Sequence, residues 1–371
     1  MSDVLVVGGG IVGLLGALEL TRRGRAVTII DAPAQYPPAS WAGGGILSPL
    51  YAWRYSDAMT RLSVDAFSRY QQILDECDAA GVPGCEALLH SGGLWVETGG
   101  DDAARARRWA ERWQIPVQSV SASERMPESA AGAGLLFPSL GNIRNPGLLK
   151  VLRAHLQRGG VRFQSAMVSR VLPTRVGAEV LAADGRKWQG DTVVVSAGHM
   201  AEQLLLPMGM AMPLFPAKGE MLLFRMKPGQ VPAVMLTEKG YLIPRQDGSV
   251  LVGSTLRKGD NTSYPTVAGR YQLERLAASL WPALASCSPA FHWAGVRPGC
   301  DRDIPFIGPV PGTNGIFAAV GHYRNGLVSA PASAELLAQL IAGEPPFTDP
   351  EPYSLSSASP SSRSSSSFFN R

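Results

Sequence analysis

Residues 4–13 read VLVVGGGIVG, an apolar run that breaks into Gly8, Gly10 and Gly13, and a second apolar run, VTIID, closes on Asp31. The pattern demands a strand, a tight turn, a helix and a second strand. Gly8 permits the turn off the first strand, Gly10 lets backbone approach a pyrophosphate, and Gly13 allows the new helix to pack against the sheet. The helix, expected over about Ile11 to Arg23, aims its unbonded N–H groups and its dipole at the phosphates. Gly24 stops it. Asp31 stands where an acid accepts hydrogen bonds from a ribose diol. These residues specify a dinucleotide and leave FAD and NAD both open.

A chain of 371 residues with 45% hydrophobic and 17% charged residues is long enough for two domains, each with its own core. The net charge of +4 comes from scattered arginines with no basic run, so nothing points to nucleic acid, while an acidic substrate remains compatible. Cys77, Cys85, Cys287 and Cys300 show no C-x-x-C spacing, which favours free thiols in a reducing compartment. No disulfide and no metal site are assigned. The N-terminal apolar stretch is interrupted by glycines and then by Glu19, Arg22 and Arg23. It is read as neither a membrane span nor a secretory signal, and the expected location is cytoplasmic.

After Asp31 comes APAQYPPASWAGGGILSPLYAWRY, too long and glycine-dense for a plain connector. Gly43, Gly44 and Gly45 would let main-chain N–H groups approach a flat ring or a phosphate without interference from a Cβ. Apolar positions at helical spacing recur from about Met59 to Cys77 and from Asp101 to Trp113, and a further helix is expected from Asn145 to Gln157 with Pro146 in its first turn. A β-meander and the buried strand Val193 to Ser196 follow, so the first fold resumes after a long insertion. From Pro213 to Gly253 the alternation GEMLLFRM, GYLIPRQDG, SVLVGST predicts an antiparallel sheet. A helix is expected over Val267 to Ala278, then a last strand, GIFAAVGH, and a last helix capped by Gly343. Residues 355–371, dominated by serine, read as a disordered tail outside the fold.

No G-x-S-x-G or H-E-x-x-H motif is present, so redox chemistry carried by the bound dinucleotide fits better than hydrolysis. Three residues stand out as anchors. Arg297, in WAGVRPG, is flanked by glycines and a proline, and a planar guanidinium binds a carboxylate through two parallel hydrogen bonds. Tyr241, in GYLIPR, offers a phenol to the same carboxylate. Arg324, in GHYRNGL, lies in the turn before the last helix, whose N-terminus would stabilise negative charge on a reduced ring system. His322 beside it is a candidate for pH tuning, although a lone histidine is more often structural.

The segments VLVVGGGIVG, WAGGGILSP, KGEMLLF, YLIPR, LVGST, WAGVRPG, DIPFIGP and GHYRNGLVSAPA, in this order over about residues 3–353, resemble the D-amino-acid oxidase family of flavoproteins, and within it the glycine-oxidising branch of bacterial thiamine biosynthesis. The resemblance implies an α/β plus antiparallel β fold of the D-amino-acid oxidase and glutathione-reductase type. A discontinuous Rossmann-type FAD-binding domain would take 1–80, 140–210 and 298–350, and a substrate domain 81–139 and 211–297. It places Ile11 and Val12, with Gly8, Gly10 and Gly13, at the pyrophosphate turn, and Asp31 and Ala32 at the adenosine ribose. Ala39, Ser40, Gly44, Gly45 and Ile46 would lie along the flavin and Val168 by the adenine. His322, Tyr323, Arg324, Asn325, Gly326, Leu327 and Val328 would surround the isoalloxazine edge. Arg297 would clamp the substrate carboxylate, with Tyr241 assisting and Arg324 lining the pocket. Where the family pattern carries histidine two residues before the tyrosine, this chain has Lys239, and Leu256 stands at a methionine position. Both bear on which amines fit.

The implied activity is oxidative deamination of glycine, sarcosine and D-amino acids by hydride transfer to flavin N5, with no obligatory catalytic protein base. The products would be an imine and then an oxo acid, ammonia and, with dioxygen, hydrogen peroxide. Glycine imine would supply the thiazole moiety of thiamine, and relatives are often tetramers. Rival readings are a sarcosine or D-proline oxidase, a D-amino-acid dehydrogenase, and a non-catalytic flavin-binding subunit. Arg297 and Tyr241 together argue against the last. A nicotinamide-dependent dehydrogenase has no use for WAGGGILSP or GHYRNG.

Overall fold

The two N-terminal apolar runs become neighbouring parallel strands. In a computed structural model, which describes residues 3–33 and 38–358, strand Asp3–Val7 pairs in parallel with Ala26–Asp31 on one side and Thr192–Val195 on the other. Arg162–Ser165 extends the sheet beyond Ala26–Asp31, Ile316–Val320 extends it beyond Thr192–Val195, and Phe306–Pro309 closes that edge antiparallel. Near-continuous apolar strands such as TVVV are what a sheet covered on both faces requires. On one face, helices Ile11–Arg22 and Gly326–Ala342 pack through Leu14, Leu18, Leu336 and Leu337. On the other lies the three-stranded meander Val168–Pro173, Ala178–Ala182 and Lys187–Gly190, with Val171 and Val180 in the core. Gly343 ends the last helix in the left-handed conformation, φ 67°.

The second layer is a nine-stranded sheet built mostly from one stretch of chain. Its centre is the twelve-residue strand Leu214–Arg225, which pairs antiparallel with Ser249–Gly253 and with Phe291–Cys300. Gly240–Pro244 and Val234–Thr237 continue the sheet, Leu94–Glu97, Gly134–Phe137 and Gln118–Ser119 follow, and the short strand Arg257–Lys258 pairs with the start of Leu214–Arg225 to complete it. It is antiparallel except where Val234–Thr237 runs parallel to Leu94–Glu97. Helix Val267–Leu280 covers one face through Leu273 and Ala277.

Four details differ from the sequence reading. The apolar stretch from Met59 to Cys77 is two helices, Asp57–Ser63 and Ala66–Ala79, because the Ser63 hydroxyl turns back onto the carbonyls of Met59 and Thr60 and the chain restarts at Asp65. A domain boundary at 298 cuts an uninterrupted strand, since Phe291–Cys300 stays paired with Leu214–Leu223 along its whole length. The second sheet is not purely antiparallel. The disordered tail expected from 355 is ordered over its first residues, because Leu355 is fully buried against the first sheet and residues 355–358 form a 3-10 turn. Residues 359–371 of that segment, and residues 34–37 of the loop after Asp31, lie outside the described residues. Cys77, Cys85, Cys287 and Cys300 are free thiols. No helix among the described residues is long and apolar enough to cross a membrane.

Candidate active site

A cavity of about 3320 Å3 runs from the C-terminal ends of the parallel strands to the face of the second sheet. Its first end is made by the glycine turn. Gly8 has φ 111°, and a Cβ there would lie 2.6 Å from the Ser196 carbonyl oxygen. A Cβ on Gly13 would lie 2.0 Å from the Gly8 oxygen, so Gly13 is a packing position beneath the turn and does not line the cavity. Helix Ile11–Arg22 starts there with no cap from Gly10 and no acid in its first turn; Ser40 Oγ takes the Ile11 N–H at 3.0 Å, and the following first-turn N–H groups face the cavity without a side-chain cap from the N-cap residue. An uncapped N-terminus of this kind attracts phosphate.

Asp31 faces the same cavity, but its Oδ2 already accepts from Arg153 Nη2 at 2.8 Å. The sequence reading missed both Arg153 and Gly9. A Cβ on Gly9 would come 2.5 Å from Asp31 Oδ2 and 2.8 Å from Arg153 Nη2, so the middle glycine of the triplet is what admits this ion pair. Arg153 stands on helix Asn145–Arg158, far from Asp31 in the chain, and no local motif announces it.

The segment Ala39–Ile46 crosses from the helix N-terminus to the second sheet and is pinned from below. Asn145 Nδ2 donates to the carbonyls of Ser40 and Gly43 at 3.0 Å each, and Trp293 Nε1 donates to the Ala42 carbonyl at 2.9 Å. Arg245 Nη2 donates to the Gly44 carbonyl at 2.9 Å while its Nη1 donates to Asn142 Oδ1. Burial lowers the Arg245 pKa to about 9, and the nearby Arg144 charge acts in the same direction, so the guanidinium is still protonated at neutral pH. An arginine within the apolar strand segment YLIPR was the available signal for this role.

At the far end, the floor is one face of the second sheet. Tyr241 pairs with Gly253, Gly253 pairs with Met221, and two residues along the same strand Gly219 pairs with Gly295. Arg297 reaches over this glycine floor: a Cβ on Gly219 would sit 2.0 Å from Arg297 Nη1. Nη2 donates to Ser254 Oγ at 2.8 Å, and Nη1 is buried with no partner among the described residues. Tyr241 is 9% exposed and lines the cavity. Arg324 lines it too, exposed, with its guanidinium 5.4 Å from the Tyr323 ring centre. Lys239 and Leu256 are also on the wall. The rim contains a cluster that sequence reasoning did not single out. The Arg54 guanidinium lies 4.0 Å from the Tyr51 ring centre and bridges Asp102 at 2.8 Å and Glu238 at 2.7 Å.

His322 is buried and its Nε2 has no partner among the described residues. Burial pushes its pKa down to about 4, so the imidazole is neutral at pH 7 and contributes no charge to the site. Every cofactor position expected from the sequence lines the cavity except Gly13 and Val328, the latter lying in the core behind the last turn. Asn145 Oδ1, Arg297 Nη1, His322 Nε2 and Tyr323 OH are buried on this wall without a partner among the described residues. Together with the uncapped helix, they are the donor and acceptor set that an elongated polar ligand such as FAD would satisfy.

A glycine turn on a parallel sheet, facing a second sheet across a cavity of this size, is the architecture of a dinucleotide-binding enzyme. The DAO model, FAD dependent oxidoreductase, matches residues 3–340, and the chain belongs to that family. It is similar to glycine oxidase of Pseudomonas aeruginosa, 40% identical over 367 residues that cover 95% of this chain and 98% of that protein. It is 29% identical to a bifunctional protein ThiO/ThiG of Synechocystis sp. over 350 residues, covering 92% of this chain and 51% of that one. The crystal structure of glycine oxidase from Geobacillus kaustophilus has the same fold, with a TM-score of 0.87, 24% identity, and coverage of 96% of this chain and 99% of that one.

Proposed function

We propose that this enzyme oxidises glycine and other small amino acids, including sarcosine and D-amino acids, to the imine, which water converts to an oxo acid and ammonia, or methylamine in the case of sarcosine. The observation that carries this reading is the Arg297 guanidinium, laid over a glycine floor with one buried nitrogen unpaired, beside Tyr241. Such a group binds a carboxylate and fixes its orientation. The Tyr241 hydroxyl donates to the same carboxylate, and Arg324 closes the pocket wall. The helix start at Ile11, Ser40 and Gly44–Ile46 would hold FAD along its length, with Asp31 at the ribose and Gly326–Leu327 at the ring. When bound, FAD supplies a two-electron acceptor that dioxygen reoxidises with release of hydrogen peroxide. The protein's part is to hold the neutral amine's Cα in place and keep water out. Neutral His322 adds no competing charge, and no protein base is required.

Similarity to half of a ThiO/ThiG protein supports placing the imine product in thiazole assembly for thiamine. Growth of a deletion strain without added thiamine or thiazole would remove that placement. The enzymatic reading is tested by peroxide release in air from purified yellow protein offered glycine, sarcosine, D-alanine, D-proline and L-alanine. Turnover of glycine and small secondary amines is expected. Flavin bleaching by substrate under nitrogen without peroxide in air would instead mark a dehydrogenase, and no response to any amine would overturn the substrate class.

A further inference from the structure

We infer that Ser254 is a positioning residue for the substrate carboxylate, acting through Arg297 and resting on the reading of that arginine as the clamp. Ser254 is the first residue after strand Ser249–Gly253, at the point where the chain leaves the sheet beside Tyr241 and Met221. Its neighbour Thr255 is tied to Glu220 from both sides: the Glu220 N–H donates to Thr255 Oγ1 at 2.9 Å, and the Thr255 N–H donates to the Glu220 carbonyl at 3.2 Å. Glu220 is itself immobile. It is fully buried on the opposite face, where its carboxylate accepts from the Thr266 N–H at 2.8 Å and Thr266 Oγ1 at 2.9 Å and meets His292 Nε2 at 2.9 Å. Ser254 is therefore presented from a rigid shelf.

Arg297 has a long, flexible stem, and a carboxylate clamp works only if the guanidinium plane is held before substrate arrives. The Ser254 hydroxyl accepts from Nη2 at 2.8 Å, which together with the close seat of the guanidinium on the Gly219 backbone fixes the plane and leaves Nη1 for the ligand. A hydroxyl suits this task better than an acid. It orients the cation by accepting from it without neutralising its charge. An aspartate at this place would occupy Arg297 and repel the substrate.

The test uses FAD-loaded wild type and the variants Ser254→Ala, Ser254→Thr and Ser254→Asp. Two quantities are read: steady-state peroxide release across a glycine range, and glycolate binding followed by the change in flavin absorbance. Ser254→Ala is expected to raise the glycine KM and weaken glycolate by the same factor, ~10-fold, the worth of one hydrogen bond to a charged group, with kcat within about 2-fold of wild type. Ser254→Thr should restore both, and Ser254→Asp should lose measurable glycolate binding. A purely structural role would lower kcat and flavin content together and would not produce this split. Unchanged KM and glycolate affinity in Ser254→Ala, beside an active wild type, overturns the role of Ser254 alone. A wild type that neither oxidises glycine nor responds to glycolate overturns the functional reading and this one with it.

Discussion

Gly219→Ala places the smallest possible obstacle at the point the substrate reading depends on. The added Cβ would lie 2.0 Å from Arg297 Nη1 and 2.4 Å from its Cζ, so reaching the 3.4 Å of an ordinary contact displaces the guanidinium by about 1.4 Å. That movement stretches or breaks the 2.8 Å bond to Ser254 and misaligns the pair of parallel N–H donors that a carboxylate needs. A displacement of about 1 Å in a group that positions the substrate lowers kcat/KM by roughly 100-fold, or about 3 kcal/mol. Gly219→Ala should therefore reduce kcat/KM for glycine by ~100-fold, with KM carrying most of the loss. The fold should tolerate the change: Gly219 has no positive φ, and replacing a strand glycine reduces the entropy of the unfolded chain. Peroxide-coupled kinetics would be measured beside thermal unfolding and flavin content. A folded, flavin-loaded Gly219→Ala enzyme with the wild-type glycine KM would refute the placement of the clamp.

Arg297→Ala should weaken glycine by ~2–5 kcal/mol in KM while flavin content stays at the wild-type level, since the change removes a positively charged partner of the carboxylate; a KM equal to wild type rules the clamp out. Asp31→Ala should lose FAD on dialysis without unfolding, and equal flavin content after dialysis counts against its ribose role. His322 is neutral in the folded state, with a pKa of about 4 against 6.5, so stability is unaffected above pH 6.5 and falls as pH drops from 6.5 toward 4. The full penalty is about 3 kcal/mol, and His322→Gln should flatten the decline; urea unfolding at pH 7.5 and pH 5 that shows parallel losses in both proteins contradicts this.

The local parts of the site were legible because their physics is local. An apolar strand, a glycine turn and an uncapped helix lie within residues 3–22, and the alternation after Pro213 marks strands whatever they pair with. The residues that hold the site in shape were hidden because their partners come from other elements. Arg153 reaches Asp31 from 122 residues away, Arg245 reaches Gly44 from 201 away, and Ser254 meets Arg297 only because Ser249–Gly253 and Phe291–Cys300 flank the same central strand. Gly9 was overlooked for a related reason: the turn needs its neighbours, while its own role depends on an ion pair formed across the fold. The registers explain why the floor under Arg297 is glycine. Gly219 faces Gly295 on the adjoining strand, and Gly253 faces Met221, so a one-residue slip in either pairing would put side chains of the opposite, Lys218 and Glu220, face beneath the guanidinium. The buried Glu220 network on that opposite face, joined to Thr266 and His292, opposes such a slip, since it would carry a fully buried carboxylate away from its donors. The charge buried behind the sheet and the open floor in front of it are thus two consequences of one register.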